Sequence, residues 1–221
     1  MLKFFKYSFF IFTLLFFING NALETDWVGG SESQVRIISP IANNNNQNQI
    51  TLGLEFYLSE GWKTYWKSPG DGGFSQEINW SNSENIKSLD IMWPVPKHFE
   101  ILGIKSIGYS DKVIFPFKIN LKDSNKKTLV VLDINYLICK DICIPANANL
   151  ELLVSPGKEN LTDHTFILEK AISELPQNSL EFSFLKYTSI NFYRYNDLIS
   201  VEFFAEAKKN FIKPSIFLHT K

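Results

Sequence analysis

Two cysteines, Cys139 and Cys143, are the residues of this 221-residue chain whose type and spacing can do chemistry. Two thiols separated by three residues form a disulfide, hold a metal ion or act as a redox couple. In a single extended strand such residues lie about 13 Å apart, whereas a disulfide needs Cα atoms within about 7 Å of each other. A pair that closes therefore requires a turn between the cysteines.

The flanking sequences predict that this turn belongs to a β-hairpin. Residues 128–138 form the strongest strand pattern of the chain, and residues 147–154 alternate between apolar and polar side chains in the same way. A connection of three residues between two such strands is a common hairpin geometry. The alternation places both cysteines on the polar face of the sheet, so we expect the pair to point outwards, towards a partner.

The short loop between the cysteines favours a redox couple over a structural staple. Closing it stabilises a fold by only about 2 kcal/mol in the chain-entropy account, against nearly 5 kcal/mol for a 100-residue loop. A weakly stabilising and exposed disulfide is of the labile sort. An inert hairpin disulfide and a thiolate metal site remain alternatives. A metal site would need further ligands, and only three His and two Met are present in the chain, so our prediction names no metal ligands and no cofactor.

The first 22 residues are typical of a secretory signal peptide. Lys3 and Lys6 precede an apolar run over residues 7–18, and Gly20-Asn21-Ala22 offers small residues for cleavage after Ala22. The run is too short for a comfortable membrane span, although an uncleaved anchor is the competing interpretation. We therefore expect a periplasmic mature chain without a membrane span.

Composition and charge exclude some classes of protein. With 45% hydrophobic and 20% charged residues, the chain is typical of a globular protein and unlike a disordered one. Cleavage after Ala22 would remove two lysines and no acids, which changes the formal net charge from −1 to −3. No basic run remains, so nucleic acid is not an expected partner.

The strand pattern predicts an all-β sandwich over residues 23–157. Further predicted strands cover residues 35–41, 50–58, 89–93 and 113–121. Pro116 within the last of these indicates an edge strand or a bulge. Residues 98–111 show no clear period and are interpreted as a long loop.

Residues 158–221 are predicted to form a smaller segment with one helix and additional strands. The helix covers Thr162–Leu175, with Thr162 as its cap and Pro176 after its end. The β pattern resumes at residues 181–205. It continues from residue 211 to the last residue, a pattern compatible with truncation of a longer protein.

Several motifs of the chain form a specific combination: Gly61-Trp62-Lys63-Thr64-Tyr65-Trp66, Ser68-Pro69-Gly70-Asp71-Gly72-Gly73, Trp93-Pro94-Val95-Pro96, Gly108-Tyr109 and Tyr136 to Pro145 with its Cys-x-x-x-Cys-Ile-Pro. Taken together, they resemble the N-terminal periplasmic domain of the thiol:disulfide interchange protein DsbD and its ScsB-type relatives. The resemblance covers roughly residues 27–155. It implies an immunoglobulin-like sandwich that passes reducing equivalents from a membrane-embedded electron transporter to periplasmic thiol-disulfide proteins, such as disulfide isomerases or cytochrome c maturation factors.

The resemblance also implies roles for residues around the cysteines. Cys143 would be the exchanging sulfur and Cys139 the resolving one, an order that the residues alone leave open. A cap loop, residues 98–103, would cover the pair, with Leu102 where the family often has an aromatic residue and Phe99 nearby. The aromatic residues that would flank the pair are Trp62, Tyr65 and Tyr136.

Two departures from the best-known members keep other functions open. Those members have five residues between the cysteines, whereas this chain has three, as ScsB-like members do. This chain also lacks the membrane and thioredoxin-like domains of a complete interchange protein, so it would work with separate proteins or be a fragment of a longer one. The alternatives are an envelope adaptor or binding sandwich whose cysteines only staple a hairpin, and a copper-stress or metal-binding protein.

Overall fold

The computed structural model describes residues 22–101, 103–158, 160–176 and 185–217. Most of these residues form strands, and one helix follows the last strand of the main body. The elements are β1 (Leu23–Glu24), β2 (Val28–Gly29), β3 (Ser33–Ser39), β4 (Gln49–Leu58), β5 (Lys63–Gly70), β6 (Glu77–Asn79), β7 (Ile86–Ile91), β8 (Lys97–Ile101), β9 (Ile104–Ser110), β10 (Lys112–Leu121), β11 (Thr128–Cys139), β12 (Cys143–Val154), α1 (Thr165–Ser173), β13 (Leu185–Tyr195) and β14 (Leu198–Ala207).

Twelve of these strands form two sheets. The first sheet has the order β1-β3-β4-β10-β7, with β2 paired to β3. The second has the order β12-β11-β5-β9-β8, with β6 paired to β11. Every ladder between these strands is antiparallel. The predicted all-β, immunoglobulin-like sandwich is thereby confirmed as a fold class.

The core lies between the two sheets and is rich in aromatic rings. Phe115 on β10 makes edge-to-face contacts with Phe56, Trp93 and Tyr109, at centroid distances of 5.0–5.4 Å. Such contacts add to the free energy gained by burial alone. Across the core, the Tyr136 hydroxyl lies 3.0 Å from Ser33 Oγ. That hydrogen bond satisfies two buried hydroxyls and ties β11 to the opposite sheet.

The predicted long loop over residues 98–111 is wrong, because this segment forms the β8–β9 hairpin. Phe99 and Ile101 point to one face of β8, and the exposed His98 and Glu100 alternate with them. A five-residue strand gives only two such alternations, so its period is hard to recognise in the sequence. The turn after Ile101 includes Gly103 at a φ of +79°, a conformation that glycine adopts without strain.

Pro116 does not make β10 an edge strand, because β10 pairs with both β4 and β7. The β7 ladder begins only at Phe117. The Pro116 carbonyl accepts a hydrogen bond from the Met92 backbone N–H, 2.8 Å away, just beyond the end of β7. N–H and C=O of one strand residue face the same neighbour. The missing N–H of Pro116 therefore faces a position where the neighbouring strand has ended.

The helix is shorter than predicted, and Thr162 is not its cap. His164 occupies the N-cap position without a side-chain capping bond. Thr162 Oγ1 instead donates to the Ser39 carbonyl and accepts the His164 N–H, so it ties the approach to the helix onto β3. Leu168 is the fully buried residue of the helix. No described helix is long and apolar enough to cross a membrane.

After the helix, β13 and β14 form a separate antiparallel hairpin. Many of its apolar side chains are exposed, including Phe192 and Leu198. Residues 208–217 form no strand, in contrast to the predicted β pattern from residue 211. Phe217 instead stacks on His98 and packs against Trp66, at centroid distances of 4.6 and 6.0 Å. The predicted pattern over residues 218–221 lies outside the described residues.

Replacing Gly108 with alanine is expected to destabilise the second sheet. A Cβ at Gly108 would lie 2.0 Å from the Thr64 carbonyl oxygen and 2.8 Å from the Tyr65 Cα, both backbone atoms of β5. Overpacking of this kind costs typically 1–3 kcal/mol, so Gly108→Ala should lower the free energy of unfolding by about 2 kcal/mol or more in a urea titration. Gly30→Ala, whose Cβ would meet only the flexible end of Glu32, is the control. Equal stability of both variants would contradict the close β5–β9 approach.

Candidate redox site

The cysteines close the β11–β12 hairpin. Residues Thr128–Cys139 pair one by one with Cys143–Val154, and the last pair of the ladder is Cys139 opposite Cys143. The Lys140 N–H donates to the Ile142 carbonyl, 3.0 Å away, across the three-residue connection. The two Cα atoms are 4.1 Å apart and the sulfurs form a disulfide. The predicted hairpin with its three-residue connection is confirmed.

The two sulfurs differ in exposure. Both cysteines lie on the face of the sheet opposite the core, as the alternation predicts, since their neighbours Ile138 and Ile144 pack into the core. Cys143 is exposed, whereas Cys139 has 0% of its surface exposed. Both cysteines thus point to the predicted face, but the expected access to a partner holds for Cys143 and is wrong for Cys139, which other residues cover.

A small apolar cluster on this outer face buries Cys139. Tyr65 from β5, Leu137 from β11, and Phe99 and Ile101 from β8 surround the sulfur. The rings of Tyr65 and Phe99 are 6.0 Å apart and tilted by 48°. We call these four residues the sulfur cover. Two of the four, Phe99 and Ile101, lie within residues 98–103, the segment that the family resemblance identifies as a cap.

The other residues expected around the cysteines do not belong to the sulfur cover. Trp62 is partly buried against the main core, and Tyr136 lies within that core on the opposite face of β11. Tyr136 therefore does not touch the disulfide, because residues an odd number of positions apart on a strand face opposite sides. Leu102 lies outside the described residues.

The structure identifies two further contacts of the buried sulfur, Leu137 and, within the predicted cap, Ile101. Leu137 shares its strand face with Cys139, two positions away, and that parity was available from the sequence. Ile101 is only 6% exposed and alternates in step with Phe99. This alternation of Phe99 and Ile101 is not expressed by the interpretation of residues 98–111 as a loop.

The polar group closest to the sulfurs is the Tyr65 hydroxyl. It lies 3.0 Å from Cys139 Sγ and 3.9 Å from Cys143 Sγ. Burial raises the pKa of Tyr65 above its ordinary value of 10.0. The nearby lysines are occupied elsewhere, since Lys63 Nζ donates to the Gly61 carbonyl and Lys140 Nζ to the Glu60 carbonyl.

An apolar groove opens beside Cys143. It has a volume of about 250 Å³, and its walls include Phe74, Ile104 and Leu137 as well as Cys143 itself. Phe74, Ile104 and Ile142 are each 43–60% exposed. A protein segment carrying a cysteine can therefore approach Cys143 through an apolar surface, while Cys139 stays covered.

The described residues contain no group of three or more His, Cys, Asp or Glu side chains arranged to hold a metal ion. The chemistry that the arrangement supports directly is thiol–disulfide exchange at the exposed sulfur. In that reaction a thiolate attacks one sulfur of a disulfide and the other sulfur leaves. An exposed sulfur bonded to a buried one predisposes the pair to attack at Cys143.

Two solved structures are similar to this chain to different degrees. The N-terminal periplasmic domain of ScsB from Proteus mirabilis is similar with a TM-score of 0.66 and 26% sequence identity, over 86% of this chain and 71% of that one. The DsbD N-terminal domain of Neisseria meningitidis, in the reduced form, matches with a TM-score of 0.32 and 13% identity, over 58% of this chain and 90% of that one. No curated protein sequence matches the chain.

The amino-acid sequence itself shows the family to which the chain belongs. The family described as "Thiol:disulfide interchange protein DsbD, N-terminal" matches residues 34–155. This stretch is more than half of the chain and contains the disulfide, the sulfur cover, the whole second sheet and all of the first sheet except β1, β2 and the first residue of β3. The chain therefore belongs to the DsbD N-terminal domain family and carries a thiol–disulfide interchange domain.

Proposed function

We propose that this protein passes reducing equivalents between partner proteins through the Cys139–Cys143 couple, with Cys143 as the exchanging sulfur and Cys139 as the resolving one. The observation that carries the proposal is the contrast between the two sulfurs. Cys143 is exposed beside an apolar groove, and Cys139 is fully buried beneath the sulfur cover. A protein thiolate can reach only the first of them without displacing the β8–β9 hairpin.

The exchange proceeds in two displacements. A donor thiolate attacks Cys143 Sγ, a donor–Cys143 disulfide forms, and the Cys139–Cys143 bond breaks with its electron pair on Cys139. A second donor thiolate then attacks the donor-side sulfur of this mixed disulfide and releases the Cys143 thiolate. The domain is reduced by two electrons and the donor is oxidised to its own disulfide. Delivery to an oxidised acceptor runs the same two steps in reverse.

The sulfur cover supports a role in selecting partners. A buried resolving sulfur is not available to small oxidants, and a thiol in apolar surroundings has a raised pKa and is inert. A partner that fills the groove beside Cys143 with apolar side chains replaces water around the reacting sulfurs. Reactivity then depends on docking, which restricts exchange to proteins whose surface fits Phe74, Ile104 and Ile142.

Location and partners follow from the same proposal. The similar ScsB domain is periplasmic by its description, and the sequence starts with a segment typical of a signal peptide. In the periplasm, a reductant must draw its electrons from across the membrane, since that compartment is kept oxidising. We therefore assign a membrane-embedded electron transporter as donor and periplasmic thiol-disulfide proteins as acceptors, cytochrome c maturation factors among them.

The reduction potential distinguishes an exchange couple from a structural staple. We expect a value of about −200 mV, within the range of known exchange proteins. Equilibration of the mature chain in glutathione buffers, followed by thiol trapping and mass spectrometry, measures it. A value below about −300 mV, typical of structural disulfides, would support the adaptor interpretation instead.

The order of the two sulfurs is tested with single-cysteine variants. Cys139→Ser leaves the exposed Cys143 free, and it should form a mixed disulfide with glutathione disulfide at least about tenfold faster than Cys143→Ser, whose thiol is buried. Mass spectrometry of adduct formation over time gives both rates, and adduct formation after unfolding in urea is the control that both thiols are intact. Equal rates in the folded variants would contradict the assignment. Reduction of an oxidised thioredoxin-fold partner should be lost in both variants.

A further inference from the structure

The Tyr65 hydroxyl is the one polar side-chain group that the described structure places against the buried sulfur. Its oxygen donates to Cys139 Sγ at 3.0 Å, and its distance to Cys143 Sγ is 3.9 Å. Tyr65 is 2% exposed and Cys139 is 0% exposed, so this contact is shielded from water. The other members of the sulfur cover, Phe99, Ile101 and Leu137, present only carbon atoms from their side chains.

Two glycines lie against Tyr65, one beside its ring and one beside its backbone. A Cβ at Gly73 would lie 2.4 Å from two carbons of the ring. Gly108 is paired with Tyr65 in the β5–β9 ladder, and a Cβ there would collide with the β5 backbone. The missing side chain at Gly73 leaves room for the ring, and the missing side chain at Gly108 allows the close β5–β9 pairing that carries Tyr65.

This geometry meets a requirement of the exchange reaction. When the disulfide opens at Cys143, the electron pair stays on Cys139, and a thiolate forms where there is no water. A buried anion without a partner is strongly disfavoured, and its pKa rises. A hydrogen bond donated to the charged form opposes this effect. Because burial raises the pKa of Tyr65 itself, its hydroxyl keeps its proton at neutral pH and remains a donor.

We propose that Tyr65 is a catalytic residue, whose hydroxyl donates a hydrogen bond to the Cys139 thiolate each time the disulfide opens or closes. The inference rests on the proposed exchange function and deepens it. No proton is transferred in the step, since the phenol retains its proton while the thiolate forms or attacks. The bond that breaks is Cys139–Cys143, and the bond that forms joins Cys143 to the partner sulfur.

The contact between Tyr65 and Cys139 also explains why Cys143 is the sulfur that a partner attacks. A thiol with a lower pKa leaves faster, so a donor that stabilises the Cys139 thiolate favours attack at Cys143. In the reverse step, the thiolate fraction of Cys139 sets how often it attacks the mixed disulfide. Tyr65 thus acts on both directions of electron flow.

Tyr65→Phe removes the hydroxyl and retains the ring that packs against Phe99. In a Cys143→Ser background, where Cys139 is the remaining cysteine of the chain, we expect the Cys139 thiol pKa to rise by about 1–2 units, from the loss of a hydrogen bond to a charged group. The ¹³Cβ chemical shift of labelled cysteine, followed against pH, measures this pKa. In the two-cysteine protein, reduction of the disulfide by dithiothreitol at neutral pH should become roughly three- to tenfold slower.

Tyr109→Phe is the matched control. It removes a second buried tyrosine hydroxyl of the same sheet, 5% exposed, which donates to the Pro94 carbonyl at 2.9 Å and not to sulfur. The control should leave the Cys139 pKa and the dithiothreitol rate unchanged. An unchanged pKa in Tyr65→Phe, or an equal change in both variants, would overturn the proposal.

A second substitution covers the case in which Tyr65→Phe does not fold. Site-specific replacement of Tyr65 by 3-fluorotyrosine retains the packing and makes the phenol a stronger donor. The Cys139 pKa should then fall below its value in the Cys143→Ser parent, and a pKa that stays or rises would refute the role. These pKa measurements require no partner protein, so they are independent of the test of partner exchange with Cys143→Ser.

Discussion

The alternation of side chains along β11 is the constraint on which the rest of this site depends. Tyr136 and Ile138 point into the sandwich, and Leu137 and Cys139 point to the other side of the same sheet. A shift of the ladder by one residue would exchange these two sets. The hydrogen bond between Tyr136 and Ser33 and the burial of Ile138 oppose such a shift. The core of the sandwich therefore determines which face carries the reactive sulfur.

On the outer face, Cys139 requires two things: shielding from water, and a hydrogen-bond donor that stabilises its thiolate. The β8–β9 hairpin and Leu137 provide the first, and the Tyr65 hydroxyl the second. Both depend on β5 and β9 approaching closely, which requires glycine at position 108. A single close ladder thus positions the phenol beneath the cap, and the exposed Cys143 is left at the margin of the apolar groove.

Much of this arrangement could be predicted from the sequence. The strong alternation of residues 128–138 and the three-residue spacing of the cysteines led to the hairpin and to the correct face. The family was identifiable from motifs such as Gly61 to Trp66 and the Cys-x-x-x-Cys-Ile-Pro segment, and the match over residues 34–155 bears this out. These features are local, and local patterns are what a single sequence reveals best.

The burial of Cys139 could not be predicted in the same way. It depends on β8, a five-residue strand whose pattern is too short to recognise, packing against a residue some forty positions later in the chain. Parity alone distinguishes two faces of a sheet but does not show that another hairpin covers one of them. Tyr136 is a different case, since the alternation along β11 by itself places it on the core face, opposite the face that carries Cys139.

The ladder between β11 and β12 has a consequence for the lifetime of intermediates. It holds the Cys139 and Cys143 Cα atoms 4.1 Å apart through backbone pairing along both strands, and this pairing does not require the sulfur–sulfur bond. After a partner has formed a bond to Cys143, Cys139 therefore remains beside it at a very high effective concentration. Intramolecular resolution competes well against any external thiol. Complexes with partners should accordingly be brief, and this domain should act as a relay with fast turnover rather than as a stable component of an assembly.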